Sequence, residues 1–122
     1  MTDPSSIVKT ELSSSTDGRG IKVARTATAG TTLHTVSSVT GDNNYDEIWL
    51  WARNSHSADV LLTIEFGGVT DPDDLIEVSI PYNQGLFLVV PGLVLQNGLT
   101  VGAFAATINV ITIFGYSNEI TA

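Results

Sequence analysis

Residues Tyr45 to Gly68 read YDEIWLWARNSHSADVLLTIEFGG, and the two apolar runs in this stretch decide the fold class. In the second run Val60, Leu62, Ile64 and Phe66 share one face, while Leu61, Thr63, Glu65 and Gly67 share the other. That period of two marks a half-buried strand. In the first run Ile48, Leu50 and Ala52 alternate with Trp49, Trp51 and Arg53, so both faces carry apolar bulk. Such a strand is either central in a sandwich or covered on its second face by a partner. The polar loop Asn54-Ser55-His56-Ser57 between the runs suggests that they face each other as a hairpin.

Working outward, the same chemistry continues in both directions. Gly20 to Arg25 and Thr31 to Val36 read as short strands on either side of the Ala29-Gly30 break, and Thr40 to Asn44 reads as a loop. Asp71-Pro72 sits in a turn composition, and Leu75 to Ile80 alternates again. Leu86 to Val90 is wholly apolar, as a strand buried on both faces would be. After the Pro91-Gly92 bend, Asn97-Gly98 is the strongest local hairpin signal in the chain. Leu99 to Ala105 and Asn109 to Ile120 supply the last strands. No stretch has a sustained helical period. About eight short strands joined by short turns fit an all-β, single-domain β-sandwich, and a jelly roll is its eight-stranded version. The expected inner face includes Leu50, Leu62, Ile64, Phe66, Val78, Ile80 and Leu88, with Thr63 and Glu65 on the opposite, tolerant face.

Residues 1–19 are rich in Ser, Thr, Asp and Gly, with Ile7, Val8 and Leu12 as the large aliphatics. They read as an extended N-terminal arm preceding a sandwich domain at 20–122, and the arm's order is expected to come from a neighbour. A mobile leader without a role is the alternative. Charge divides at nearly the same place. Residues 1–25 hold Lys9, Arg19, Lys22 and Arg25 against three acids, whereas Arg53 faces ten acids in the rest, giving a net charge of −8 overall.

With 122 residues the chain is one domain by length, and about two thirds of its unfolded surface is buried on folding. An acidic chain with scattered Lys and Arg is not built to hold a phosphate backbone, so no nucleic-acid partner is expected. The start, MTDPSSIVKTELSSS, lacks the pattern of a secretory signal, and the longest apolar run is too short to span a bilayer. No membrane association is expected. Charged residues make up 15%, against about 25% in ordinary soluble domains, so part of the surface is expected to be covered by other chains.

Reactive constellations are lacking. There is no cysteine, which excludes disulfides, thiolate metal sites and a cysteine nucleophile. His34 and His56 are far apart without a third histidine, so no metal site is expected; the former reads as strand surface and the latter as a loop tip. Asp71, Asp73 and Asp74 lack the spacing of a calcium loop and read as a solvated turn. Asp46 and Glu47 point to opposite faces on a strand, a poor acid/base pair. The chain is therefore expected to be no enzyme, with no catalytic residues and no cofactor. Trp49 and Trp51 share a strand face, where they are expected to pack under another strand or at a subunit contact, or, less commonly for such pairs, to stack on sugar rings.

The runs TTLHTV, YDEIWLWARNSHSADVLLTIEFGG, VVPGLVLQNGLTVGAFA and ITIFGYSNEITA together resemble small virion proteins of tailed bacteriophages, most nearly the capsid decoration, or cement, proteins. The likeness spans roughly residues 20–122 and is one of pattern, without a diagnostic motif. It implies a β-rich fold, often a jelly roll, made in the host cytoplasm and bound as a homotrimer to the major capsid protein on the outer surface of the virion. It implies no cofactor and no active site. Candidate interface residues are Ile7, Val8, Lys9 and Leu12 of the arm, with Trp49 and Trp51 of the body. The other reading is a carbohydrate- or receptor-binding module of a phage tail or fibre, which would engage glycans through Trp49 and Trp51.

Overall fold

The computed structural model describes residues 6–38 and 44–121. Among these residues the chain forms nine strands: β1 (Ser6–Glu11), β2 (Ile21–Lys22), β3 (Thr31–Thr35), β4 (Tyr45–Asn54), β5 (Val60–Phe66), β6 (Leu75–Ile80), β7 (Phe87–Leu95), β8 (Thr100–Ala105) and β9 (Ile111–Thr121). They build two antiparallel sheets packed as a β-sandwich. The first has the order β1-β9-β4-β7, with β2 also pairing β9, and the second has the order β3-β8-β5-β6. Of the loop expected at Thr40 to Asn44, residues 40–43 lie outside the described residues.

Alternation does the positioning. Along β4 every second residue, from Asp46 through Ile48, Leu50 and Ala52 to Asn54, is buried. These meet Leu62 and Ile64 of β5, Ile80 of β6 and the small residues Ala103 and Ala105 of β8, with Leu33, Val90, Ile111 and Ile113 completing the core. Of the expected inner face, Leu50, Leu62, Ile64 and Ile80 are buried, and Phe66 and Val78 pack against them. Leu88 does not, being 42% exposed. The register of β7 against β4 slips between Leu50 and Trp51, whose partners are Val90 and Leu88. The bulge buries both Val89 and Val90 and turns Leu88 out beside Trp51. Nor is the run from Leu86 buried on both faces. Strand β7 is an edge, and Leu86, Phe87 and Leu88 are all exposed. Its edge position also admits Pro91, which would cost a central strand a ladder bond.

The organising stretch contains two strands but no hairpin. Strand β4 pairs with β9 and β7, while β5 pairs with β6 and β8. The intervening loop carries the chain from one sheet to the other. Asn97-Gly98 repeats the lesson. Both residues have positive φ, 62° and 71°, as a type I′ turn requires, yet the flanking β7 and β8 lie in different sheets.

The N-terminal region corrects a second expectation. Residues 6–11 are extended, but they pair with β9 of their own chain from Ser6↔Thr121 to Glu11↔Tyr116. Leu12, expected at an interface, is instead buried in the core. The following residues stitch the segment to β3, since Ser14 N–H donates to the Leu33 carbonyl and the Ser13 hydroxyl accepts from Thr35 N–H at 2.7 Å. A segment poor in large aliphatics is ordered here by main-chain pairing with its own chain and one buried leucine.

His34, expected on the strand surface, is buried together with Asp46. His34 is 5% exposed and Asp46 1%. Imidazole Nε2 lies 2.8 Å from Asp46 Oδ2, and Nδ1 accepts from Ser13 N–H at 2.9 Å. The accepting Nδ1 leaves Nε2 as the nitrogen carrying hydrogen toward the carboxylate. The cause is again a bulge, between Thr32 and His34, after which Leu33 and His34 are both buried. Glu65 and Thr63 are buried as well. The Glu65 carboxylate accepts from Thr28 Oγ1 and, at 2.8 Å, from Gly30 N–H, so it anchors the loop before β3 and is not a tolerant surface position.

Candidate interaction face

The outward row of β4 is Tyr45, Glu47, Trp49, Trp51 and Arg53, none of them buried. Register on β9 sets Tyr116 opposite Trp49 and Asn118 opposite Glu47, and register on β1 sets Lys9 opposite Asn118. Three rings gather in consequence. Trp49 and Trp51 stack with centroids 6.2 Å apart and planes 18° apart, Trp49 and Tyr116 at 6.4 Å and 21°, and Trp51 and Tyr116 at 6.0 Å and 32°. Lys9 Nζ sits 4.5 Å from the Tyr116 ring centroid, within cation–π range. On the other flank, the Trp49 indole lies over Gly92 of β7. A Cβ at that position, whose φ is +78°, would stand 2.7 Å from the indole ring. Glycine thus lets the ring lie across the neighbouring strand.

Glu47 organises the polar part of this face. Its Oε1 accepts from Trp49 Nε1 at 2.7 Å and from Asn118 Nδ2 at 3.0 Å. The Trp49 hydrogen bond, followed by that from Asn118, lowers the carboxyl pKa below 4.5, against a smaller opposing effect of burial. A depressed pKa in the folded state means that this contribution is present above the unfolded pKa and is lost as pH falls through the folded one. Tryptophan emission is therefore expected to change with pH in a transition centred below 4.5. The Asn118→Ala variant should move that transition upward. An emission change centred above 4.5 in the parent chain would contradict the arrangement.

Apolar residues extend the face on both sides. Leu88 is opposite Trp51, Val94 is opposite Glu47, and Ile7, 62% exposed, lies on the β1 flank. Of the six interface residues expected from sequence, Ile7, Lys9, Trp49 and Trp51 share this face. Val8 is exposed on the alternate side of β1, and Leu12 is in the core. Tyr116 and Asn118 are not among those six, and Glu47 reads in the sequence only as half of a poor acid/base pair. The alternation of Phe114 and Tyr116 was visible, but nothing local says that β9 lies beside β4. His56 is exposed, as expected for a loop tip, whereas His34 forms the buried pair with Asp46. No group of three His, Cys, Asp or Glu that could hold a metal ion occurs among the described residues.

What the face can do follows from its composition. It combines stacked aromatics, exposed aliphatics and a few paired charges on a flat, strand-built support. Aromatic-rich patches of this kind are enriched at protein interfaces. Comparison of the chain with family models, with curated proteins and with solved structures finds no match.

Proposed function

We propose that this chain is a jelly-roll structural protein of a phage virion that decorates the outside of the head, docking through the outer face of its first sheet. The observation that carries the reading is that face: Trp49, Trp51 and Tyr116 stacked at its centre, with Ile7, Leu88 and Val94 open around them. Monomeric proteins seldom leave large contiguous apolar patches uncovered. The jelly-roll assignment is supported by the strand orders β2-β9-β4-β7 and β3-β8-β5-β6, which interlocked Greek keys produce. The family resemblance supplies the partner, the major capsid protein, and the homotrimer as the docking unit. Exposed Ile7 and the neighbouring Lys9 bring the N-terminal strand into the same contact.

The test is binding to purified empty shells, with sedimentation of the free protein alongside. The parent chain is expected to sediment as a trimer and to bind shells. The Trp49→Ser, Trp51→Ser double variant should remain folded and lose shell affinity by about thirtyfold or more, the effect of truncating an interface hot spot. A folded monomer that ignores shells would overturn the proposal. Glycan binding lost in that same double variant would favour the carbohydrate-binding alternative, whose motive is the aromatic cluster beside Glu47 and Asn118.

A further inference from the structure

Beyond the last turn of β4, the chain builds a recess of about 420 Å³ between loop 54–59 and the loop joining β6 to β7. Its walls include Arg53, Ser55, His56, Tyr82 and Asn83, and no Asp or Glu lines it. Arg53 is the single Lys or Arg after residue 25 in a chain of net charge −8. Among the described residues it makes no ion pair. A guanidinium placed in a concave site without a carboxylate is a ready partner for one.

The site is braced. The buried Asn54 amide donates to the Ala58 carbonyl at 3.0 Å and to the Ile80 carbonyl at 2.9 Å, while its Oδ1 accepts from His56 N–H at 2.8 Å. Ser55 N–H donates to the Val110 carbonyl, and Tyr82 N–H donates to Asp59 Oδ1 at 3.2 Å. Asn83 and Gly85 hold positive φ of 59° and 73°, which turns the second loop up beside the first. The recess is thus held by hydrogen bonds centred on the buried Asn54, a rigid support for a binding group.

We infer that this recess binds a carboxylated sugar, a pyranose of the uronic acid class, with Arg53 taking the carboxylate. Three features favour a sugar acid over the lone acidic side chain of a partner protein. The volume holds a whole ring with its substituents, far more than a carboxyl group needs. Tyr82 offers a half-exposed aromatic ring against which a pyranose face packs. Ser55, His56 and Asn83 supply the mixed donors and acceptors that hydroxyl groups require. The inference does not rest on the aromatic docking patch: Arg53 ends the same outward row of β4, but the other lining residues lie at or beyond the end of the strand.

The experiment is an NMR titration of the ¹⁵N-labelled full chain with D-glucuronate, and with D-glucose, acetate and an oligoglutamate peptide in parallel. Glucuronate is expected to shift the amides of His56, Tyr82 and Asn83 saturably, with glucose and acetate each weaker by about tenfold, the worth of one charge-assisted contact or one packed ring. Arg53→Gln should weaken glucuronate binding by about tenfold and leave thermal unfolding unchanged. Tyr82→Ala should weaken glucuronate but not acetate, and the Trp49→Ser, Trp51→Ser variant should bind glucuronate as the parent does. Absence of shifts with glucuronate, equal binding of acetate, or undiminished binding in Arg53→Gln overturns the inference. Stronger binding of oligoglutamate at the same amides overturns it in favour of a protein partner.

Discussion

Replacing His34 with alanine is expected to destabilise the fold by about 3 kcal/mol or more, the cost of leaving a buried carboxylate without its hydrogen-bond donor. The substitution removes the donor 2.8 Å from the Asp46 carboxylate and leaves that group, 1% exposed, with Ser37 N–H at 3.4 Å. It also removes the acceptor for Ser13 N–H, which ties the segment after β1 to β3. Urea unfolding measures the loss directly. The double variant His34→Ala, Asp46→Ala should be no less stable than His34→Ala alone, because the stranded charge is gone. Additive losses from the two single variants would show that the pair is not energetically coupled. A drop below about 1 kcal/mol in His34→Ala would mean that water replaces the imidazole freely.

The second large effect separates two neighbouring leucines. Leu62 is fully buried between the sheets, whereas Leu61 is 45% exposed on the other face of β5. Leu62→Ala should cost about 2 to 5 kcal/mol through lost transfer energy and the cavity left behind. Leu61→Ala should stay near 0.5 kcal/mol, as surface substitutions do. Similar unfolding midpoints for the two variants would mean that the face assignment of β5 is inverted.

How far these assignments were legible depended on whether the information was local. Alternation along β4 and β5 is local, and it assigned their inward rows and the shared face of Trp49 and Trp51, although Thr63 and Glu65 on the other face of β5 are covered by neighbouring segments of the chain. Pairing is not local. The runs flanking Asn54 and those flanking Asn97-Gly98 look like hairpins because turn chemistry is the same whether the next strand joins the same sheet or the opposite one. Tyr116 escaped notice for this reason, and Lys9, named only as part of the N-terminal segment, could not be placed beside it, since their place by Trp49 and Trp51 depends on β9 and β1 converging on β4 and β9. Bulges account for the other misplacements. A period of two cannot represent a position where consecutive residues both turn inward, as Leu33 with His34 and Val89 with Val90 do. The N-terminal segment differed because main-chain hydrogen bonding, invisible in hydropathy, orders it along β9.

The inward row of β4 begins with Asp46 and ends with Asn54, and each reaches across to the opposite sheet. Asp46 holds His34 of β3, and Asn54 holds the Ile80 carbonyl at the end of β6. Those strands are the two edges of the second sheet. Among the described strands, β5 and β6 are the one consecutive pair that hydrogen-bond to each other. A chain wired in this way gains little from early local contacts and must close long loops before its pairings reward it, which places its folding toward the slow, milliseconds-to-seconds end for small domains. Both clamps on β4 join residues that meet only when the sheets have docked, so they act late. They slow unfolding more than they speed folding, and so lengthen the lifetime of the folded protein.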